Sequence, residues 1–125
     1  VVNQNNYQES EVKALIIIND PPYGTERLYN GLRLAHALLK RGDEVTVFLV
    51  ADAVLGAKTG QKTPDGYYNA EKMLRRVTSK GRVLLCGTCM DARGIEENDI
   101  LDGAERSTMD ALAETVSESD KVLVY

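Results

Sequence analysis

Apolar positions in this chain follow two alternating periods. Residues 12–18 form a short, mostly apolar run with three consecutive isoleucines. Its length and β-branched content predict a buried strand. Two prolines and a glycine in Asn19-Asp20-Pro21-Pro22-Tyr23-Gly24 predict a loop, and Thr25 is placed to cap the helix that follows. Leu28, Leu32, Ala35, Leu38 and Leu39 then recur at helical spacing. Lys40 and Arg41 suit the negative end of that helix, and Gly42 its stop.

Residues 44–50 predict a second strand, with Val45, Val47 and Leu49 on one side and Phe48 and Val50 on the other. Apolar residues on both sides mark a central strand covered by helices on each face. A short helical turn and a long loop are expected over 51–63. A helix is expected over 66–79, with Tyr67, Ala70, Met73, Leu74 and Val77 inward. Residues 82–85 predict a third strand that delivers Cys86 at its C-terminal end. A helical turn at 88–93 and a short strand near 103–106 follow. The last two elements are a helix over 108–117, with Met109, Leu112, Ala113 and Val116 inward, and a strand at 121–125. Strands alternating with helices predict an α/β fold, a parallel sheet covered on both faces. In such sheets chemistry gathers at the C-terminal strand ends, here Asn19-Asp20, Ala51-Asp52 and Cys86.

Length and charge narrow the picture. A chain of 125 residues suits one domain, expected over 12–125 with a flexible tail at 1–11. That tail is polar and lacks the apolar core of a secretory signal. The net charge of −4, with no run of Lys and Arg, argues against a nucleic-acid partner. The longest uninterrupted apolar runs, such as 14–18, are far too short for a bilayer span. Two cysteines are too few for a secreted disulfide scaffold, so a cytoplasmic protein without membrane partners is expected.

The candidate chemistry lies in Leu85-Cys86-Gly87-Thr88-Cys89. A thiolate, not a thiol, is the nucleophile, and only about 3% of an ordinary thiol is ionised at neutral pH. A helix starting at Gly87 or Thr88 raises that fraction to at most about a quarter. Arg93 is the nearest candidate for a further contribution. Pairing of Cys86 with Cys89 requires a sharp turn at Gly87. A thioredoxin-type site is disfavoured, because Pro21, Pro22 and Pro64 all precede the motif and none follows it. Two cysteines and one mid-helix histidine, His36, fall short of a zinc site, and no metal or cofactor is expected. Tyr23 and Gly24 precede a helix start, where anions bind well, and are candidate pocket walls. Lys62 lies in a long loop, where functional residues concentrate.

These residues resemble a known family. The blocks Pro22-Tyr23-Gly24, Phe48-Leu49, Ala51-Asp52-Ala53-Val54, Gly60-Gln61-Lys62 and Gly66-Tyr67 are similar to those of the DsrE/DsrF-like family, in its YchN-like branch. So are Cys86-Gly87-Thr88-Cys89, Asp91-Ala92-Arg93-Gly94-Ile95 and Asp120-Lys121-Val122-Leu123. The resemblance implies a three-layer α/β/α sandwich with a five-stranded, mainly parallel sheet. It implies a homotrimer or homohexamer, and a place near the family's sulfur-relay proteins, in which one cysteine carries a persulfide sulfur between donor and acceptor proteins. Cys86, followed by Arg93-Gly94, matches the carrier position. Cys89 matches the second cysteine of the YchN-like branch, which the relay branch lacks; it is a candidate resolving thiol or a packing residue. Arg93 and Thr88 are then expected to stabilise the sulfur anion, Gly87 to allow close approach, and Tyr23, Gly24 and Lys62 to line the substrate pocket. Two other readings stay open: a non-catalytic oligomeric interaction or regulatory module, and a dithiol–disulfide redox protein using Cys86 and Cys89.

Overall fold

The computed structural model describes residues 12–125; the tail expected at 1–11 lies outside them. The elements run β1 (Lys13–Ile18), α1 (Arg27–Lys40), β2 (Glu44–Leu49), a 3₁₀ helix (Ala51–Ala57), α2 (Ala70–Thr78), β3 (Arg82–Cys86), α3 (Gly87–Ala92), a 3₁₀ turn (Glu97–Asp99), β4 (Ala104–Ser107), α4 (Met109–Glu118) and β5 (Lys121–Val124). The strands form one sheet in the order β4-β3-β2-β1-β5, and every pairing is parallel. Among the described residues no helix is long and apolar enough to cross a membrane.

The strand order explains an uneven coverage of the two faces. From β1 to β4 the chain steps in one direction, and right-handed crossovers place α1 and α2 on the same face. The return from β4 to β5 crosses the whole sheet in the opposite sense, which puts α4 on the other face. The first face holds the large cluster of Ile16, Ile18, Leu28, Leu32, Val47, Leu49, Leu74, Val77 and Leu85, with their neighbours. Among the described residues the second buries a smaller set, Leu15, Phe48, Leu84, Cys86 and Leu112, with Ile17, Val50 and Cys89 partly buried against it. The nucleophile candidate therefore sits on the thinner side of the molecule.

Several boundaries differ from the sequence reading for local reasons. The second helix begins at Ala70, not near residue 66, because Gly66 holds φ at +87° and Asn69 caps the helix by accepting from the Lys72 amide at 3.0 Å. Tyr67, expected inward, is 72% exposed. In α4 only Leu112 is buried; Met109, Ala113 and Val116, expected inward, are exposed. One helix laid across a sheet can present only a narrow stripe to it. The first helix starts at Arg27, and Thr25 accepts from the Arg27 amide at 3.3 Å while donating to Asp20 at 2.8 Å.

Candidate functional site

Cys86 is the last residue of β3 and the N-cap of α3. The alternation along β3 turns Leu84 and Cys86 to the α4 face, where both join the Leu15–Phe48–Leu112 cluster. The residue is 8% exposed. Polar groups nonetheless surround the sulfur. Its Sγ accepts from the Cys89 amide at 3.3 Å, and the Thr88 hydroxyl lies 3.3 Å away. An ionised sulfur can only accept, so that hydroxyl then donates.

The two cysteines titrate in opposite directions. Burial pushes the Cys86 thiol up, but donors outweigh it: the Cys89 thiol, the Thr88 hydroxyl, and the amides of Cys89 and Thr88 hold Cys86 below the ordinary value. Burial pushes Cys89 up, and its bond to Cys86 adds to this; the Ala51 amide and the Arg93 charge only partly oppose it. The proton thus rests on Cys89 while Cys86 takes the charge, a property of the pair rather than of either residue. Both cysteines are free.

Cys89 is tethered from another strand. Ala51, the first residue of the 3₁₀ helix that follows β2, adopts φ +51°, a left-handed conformation uncommon for a residue with a Cβ. In that conformation its amide donates to Cys89 Sγ at 3.1 Å. Arg93 lies on the same side of the pair. Its Nε donates to Asp52 Oδ1 at 2.9 Å, and its Nη1 donates to the Cys89 carbonyl at 3.0 Å. The guanidinium expected to serve Cys86 is thus held beside Cys89.

A second arginine was not anticipated. Arg106 in β4 donates through Nη1 and Nη2 to the two carboxylate oxygens of Asp91 at 2.8 and 2.9 Å. Its guanidinium packs against Gly87: a Cβ built there would lie 2.8 Å from Nε. The bond to Arg106 holds the Asp91 carboxyl below its ordinary value. The sequence offered one signal for this arrangement, a short strand expected to end at Arg106, but nothing that fixed its register against β3. Leu85 pairs with Arg106, and Cys86 with Ser107.

The remaining candidates assemble elsewhere. Tyr23, at φ +74°, donates from its hydroxyl to Gln61 and accepts there from the Ala70 amide at 3.0 Å. The Tyr68 ring stacks between Tyr23 and Tyr29 at centroid distances of 4.9 and 4.6 Å. Tyr23, Lys62, Tyr67 and Tyr68 border an open hollow of about 580 Å³ that includes no residue of 86–93. Gly24 is exposed beside it. Within one chain, then, Gly87, Thr88 and Cys89 adjoin Cys86, while Tyr23, Gly24 and Lys62 form a separate cluster at the start of α1 and α2. His36 Nε2 lies 2.9 Å from the Met73 carbonyl oxygen, linking α1 to α2.

The comparisons with known proteins agree with this architecture. A match to the DsrE/DsrF-like family spans residues 12–125. The chain is 41% identical over 116 residues to Protein YchN of Escherichia coli K12, covering 90% of this chain and 98% of that protein. It is 40% identical over 111 residues to an uncharacterized protein of Methanopyrus kandleri, covering 88% and 91% respectively. The crystal structure of the E. coli YchN protein superposes with a TM-score of 0.87, covering 91% of this chain and 99% of that one. A Methanobacterium thermoautotrophicum protein of unknown function shares the fold at 12% identity, with a TM-score of 0.75 over 92% of this chain and all of its own. The five parallel strands, the helices on them and these matches lead to one conclusion: the chain belongs to the DsrE/DsrF-like family.

Proposed function

We propose that this protein is a sulfur carrier, in which Cys86 accepts a sulfane sulfur from a donor persulfide and passes it to an acceptor thiol. The observation that carries the reading is the split of the cysteine pair. Burial alone would keep Cys86 a thiol, yet four donors favour its anion, and the neighbouring Cys89 keeps its proton. A thiolate attacks the terminal sulfur of R–S–SH, the donor's S–S bond breaks, and R–S⁻ leaves as Cys86–S–SH forms. Attack by an acceptor thiolate on that terminal sulfur reverses the exchange. No net oxidation occurs, which suits a reducing, cytoplasmic setting.

The carrier acts as a homotrimer or homohexamer in this reading. Support comes from apolar side chains left uncovered on the edge strand, Val122, Leu123 and Val124, and on α4, Met109 and Val116. Tyr23, Gly24 and Lys62 would then serve a Cys86 pocket only from a neighbouring copy. Incubation with a persulfide donor under anaerobic conditions should add about 32 Da, one sulfur atom, to the wild-type protein and nothing to Cys86→Ser. Failure of the wild-type chain to gain that mass refutes the carrier reading. A loss of two hydrogens at Cys86 and Cys89 in its place favours the dithiol–disulfide alternative, for which the hydrogen bond between the two thiols is the supporting contact.

A further inference from the structure

Arg106 is held in an arrangement that the carrier reading leaves unused. Its two Nη atoms meet both oxygens of Asp91, a bidentate pairing that fixes the plane of the guanidinium. The plane occupies the space a side chain at residue 87 would need: an ideal Cβ there would stand 2.8 Å from Nε, 2.9 Å from Cζ and 3.0 Å from Nη2. A glycine directly after the nucleophile therefore lets a cation reach the backbone beside it. Arg106 also borders a groove of about 510 Å³ with Glu97, Glu105, Ser107 and Thr108, which includes no residue of 86–93; the link to Cys86 runs through the contact with Gly87. Chiefly Asp91, and more weakly Glu97 and then the Cys86 charge, hold the Arg106 guanidinium above its ordinary value. Arg93, by contrast, is held beside Cys89 by Asp52 and the Cys89 carbonyl.

We propose that Arg106, clamped by Asp91 over Gly87, is the cation of the Cys86 site and receives the terminal sulfur of a Cys86 persulfide anion. The proposal rests on the sulfur-carrier reading. Transfer from R–S–SH leaves Cys86–S–SH and R–S⁻; loss of the persulfide proton to water then gives Cys86–S–S⁻, whose charge Arg106 offsets.

The test compares wild type, Arg106→Gln, Gly87→Ala and Arg82→Gln. Gly87→Ala keeps the charge but displaces the guanidinium, whose flexible end can move aside. Arg82→Gln removes one charge from the opposite end of β3, about 13 Å from Cys86 and beyond the screening length at physiological salt. Two quantities are measured: the pH profile of iodoacetamide alkylation at Cys86, and retention of the added sulfur near neutral pH. Arg106→Gln and Gly87→Ala are expected to slow alkylation about threefold or more near neutral pH, to move its midpoint to higher pH, and to shorten retention, while Arg82→Gln matches wild type. Wild-type profiles and retention in Arg106→Gln overturn the proposal, and a shift in Arg106→Gln without one in Gly87→Ala overturns the part assigned to Gly87. A wild-type chain that never gains sulfur refutes the carrier reading instead, and the alkylation profiles still report whether Arg106 serves Cys86.

Discussion

Removing one donor from the Cys86 anion should change its reactivity in opposite directions at low and high pH. Thr88→Val keeps the shape of the side chain and deletes the hydroxyl that lies 3.3 Å from Sγ. Thr88 is exposed, so water competes for the anion and its bond falls in the range of an ordinary hydrogen bond, about 1 kcal/mol. That loss lowers the thiolate population below the titration midpoint by about fivefold. A more basic thiolate is also a better nucleophile, with a Brønsted slope of roughly 0.4–0.5, which returns about a factor of two. The expected net effect is a reaction with a small chromogenic disulfide about two- to threefold slower near neutral pH. On the alkaline plateau, where both proteins are ionised, the variant should be about twofold faster. Stopped-flow release of the chromophoric thiol across pH gives both limbs, and the two profiles should cross. Superimposable profiles, or a variant slower at every pH, would refute the assignment of Thr88 as a donor to the sulfur.

Two further outcomes are expected. Burial opposes ionisation of Glu71, but Arg75 and the Gln61 and Gly60 amides hold its carboxyl below the ordinary 4.5; this stabilisation is present above the unfolded-state value and is lost as pH falls through the folded one. Glu71→Gln should therefore cost about 1–3 kcal/mol near neutral pH and less near pH 3, and an equal cost at both pH values in urea titrations would count against it. Val124→Asp places a charge on the 65% exposed apolar edge of β5 and is expected to lower the sedimentation mass toward that of one chain; an unchanged mass removes β5 from the interface.

Much of the fold could be read from the pattern because α/β sheets announce themselves through burial on both sides. Val45, Val47, Phe48 and Leu49 are all buried, as a central strand requires. The pattern failed where an element covers little. In α4 four apolar residues recur at helical spacing, but spacing cannot say how wide a surface the helix meets, and only Leu112 finds the sheet. At the site, Cys86 at the end of β3 and the polar company of Thr88 and Cys89 were legible, since they are neighbours in sequence. Arg106 and Asp91 were not, because their meeting depends on the register of β4 against β3, and short edge strands carry few residues to fix it. The same holds for Arg93: a guanidinium seven residues past the nucleophile looks available until Asp52, from the end of another strand, claims it.

The bond from the Ala51 amide to Cys89 has a consequence for how the site can vary. A main-chain hydrogen does not belong to any particular side chain, so residue 51 can change identity without releasing the sulfur it holds, within the set that tolerates φ +51°, glycine and asparagine best and β-branched residues worst. Proline alone lacks that hydrogen, and its ring cannot reach φ +51°. Within that limit the side chain at residue 51 can vary while the seat of Cys89 stays anchored to the backbone after β2.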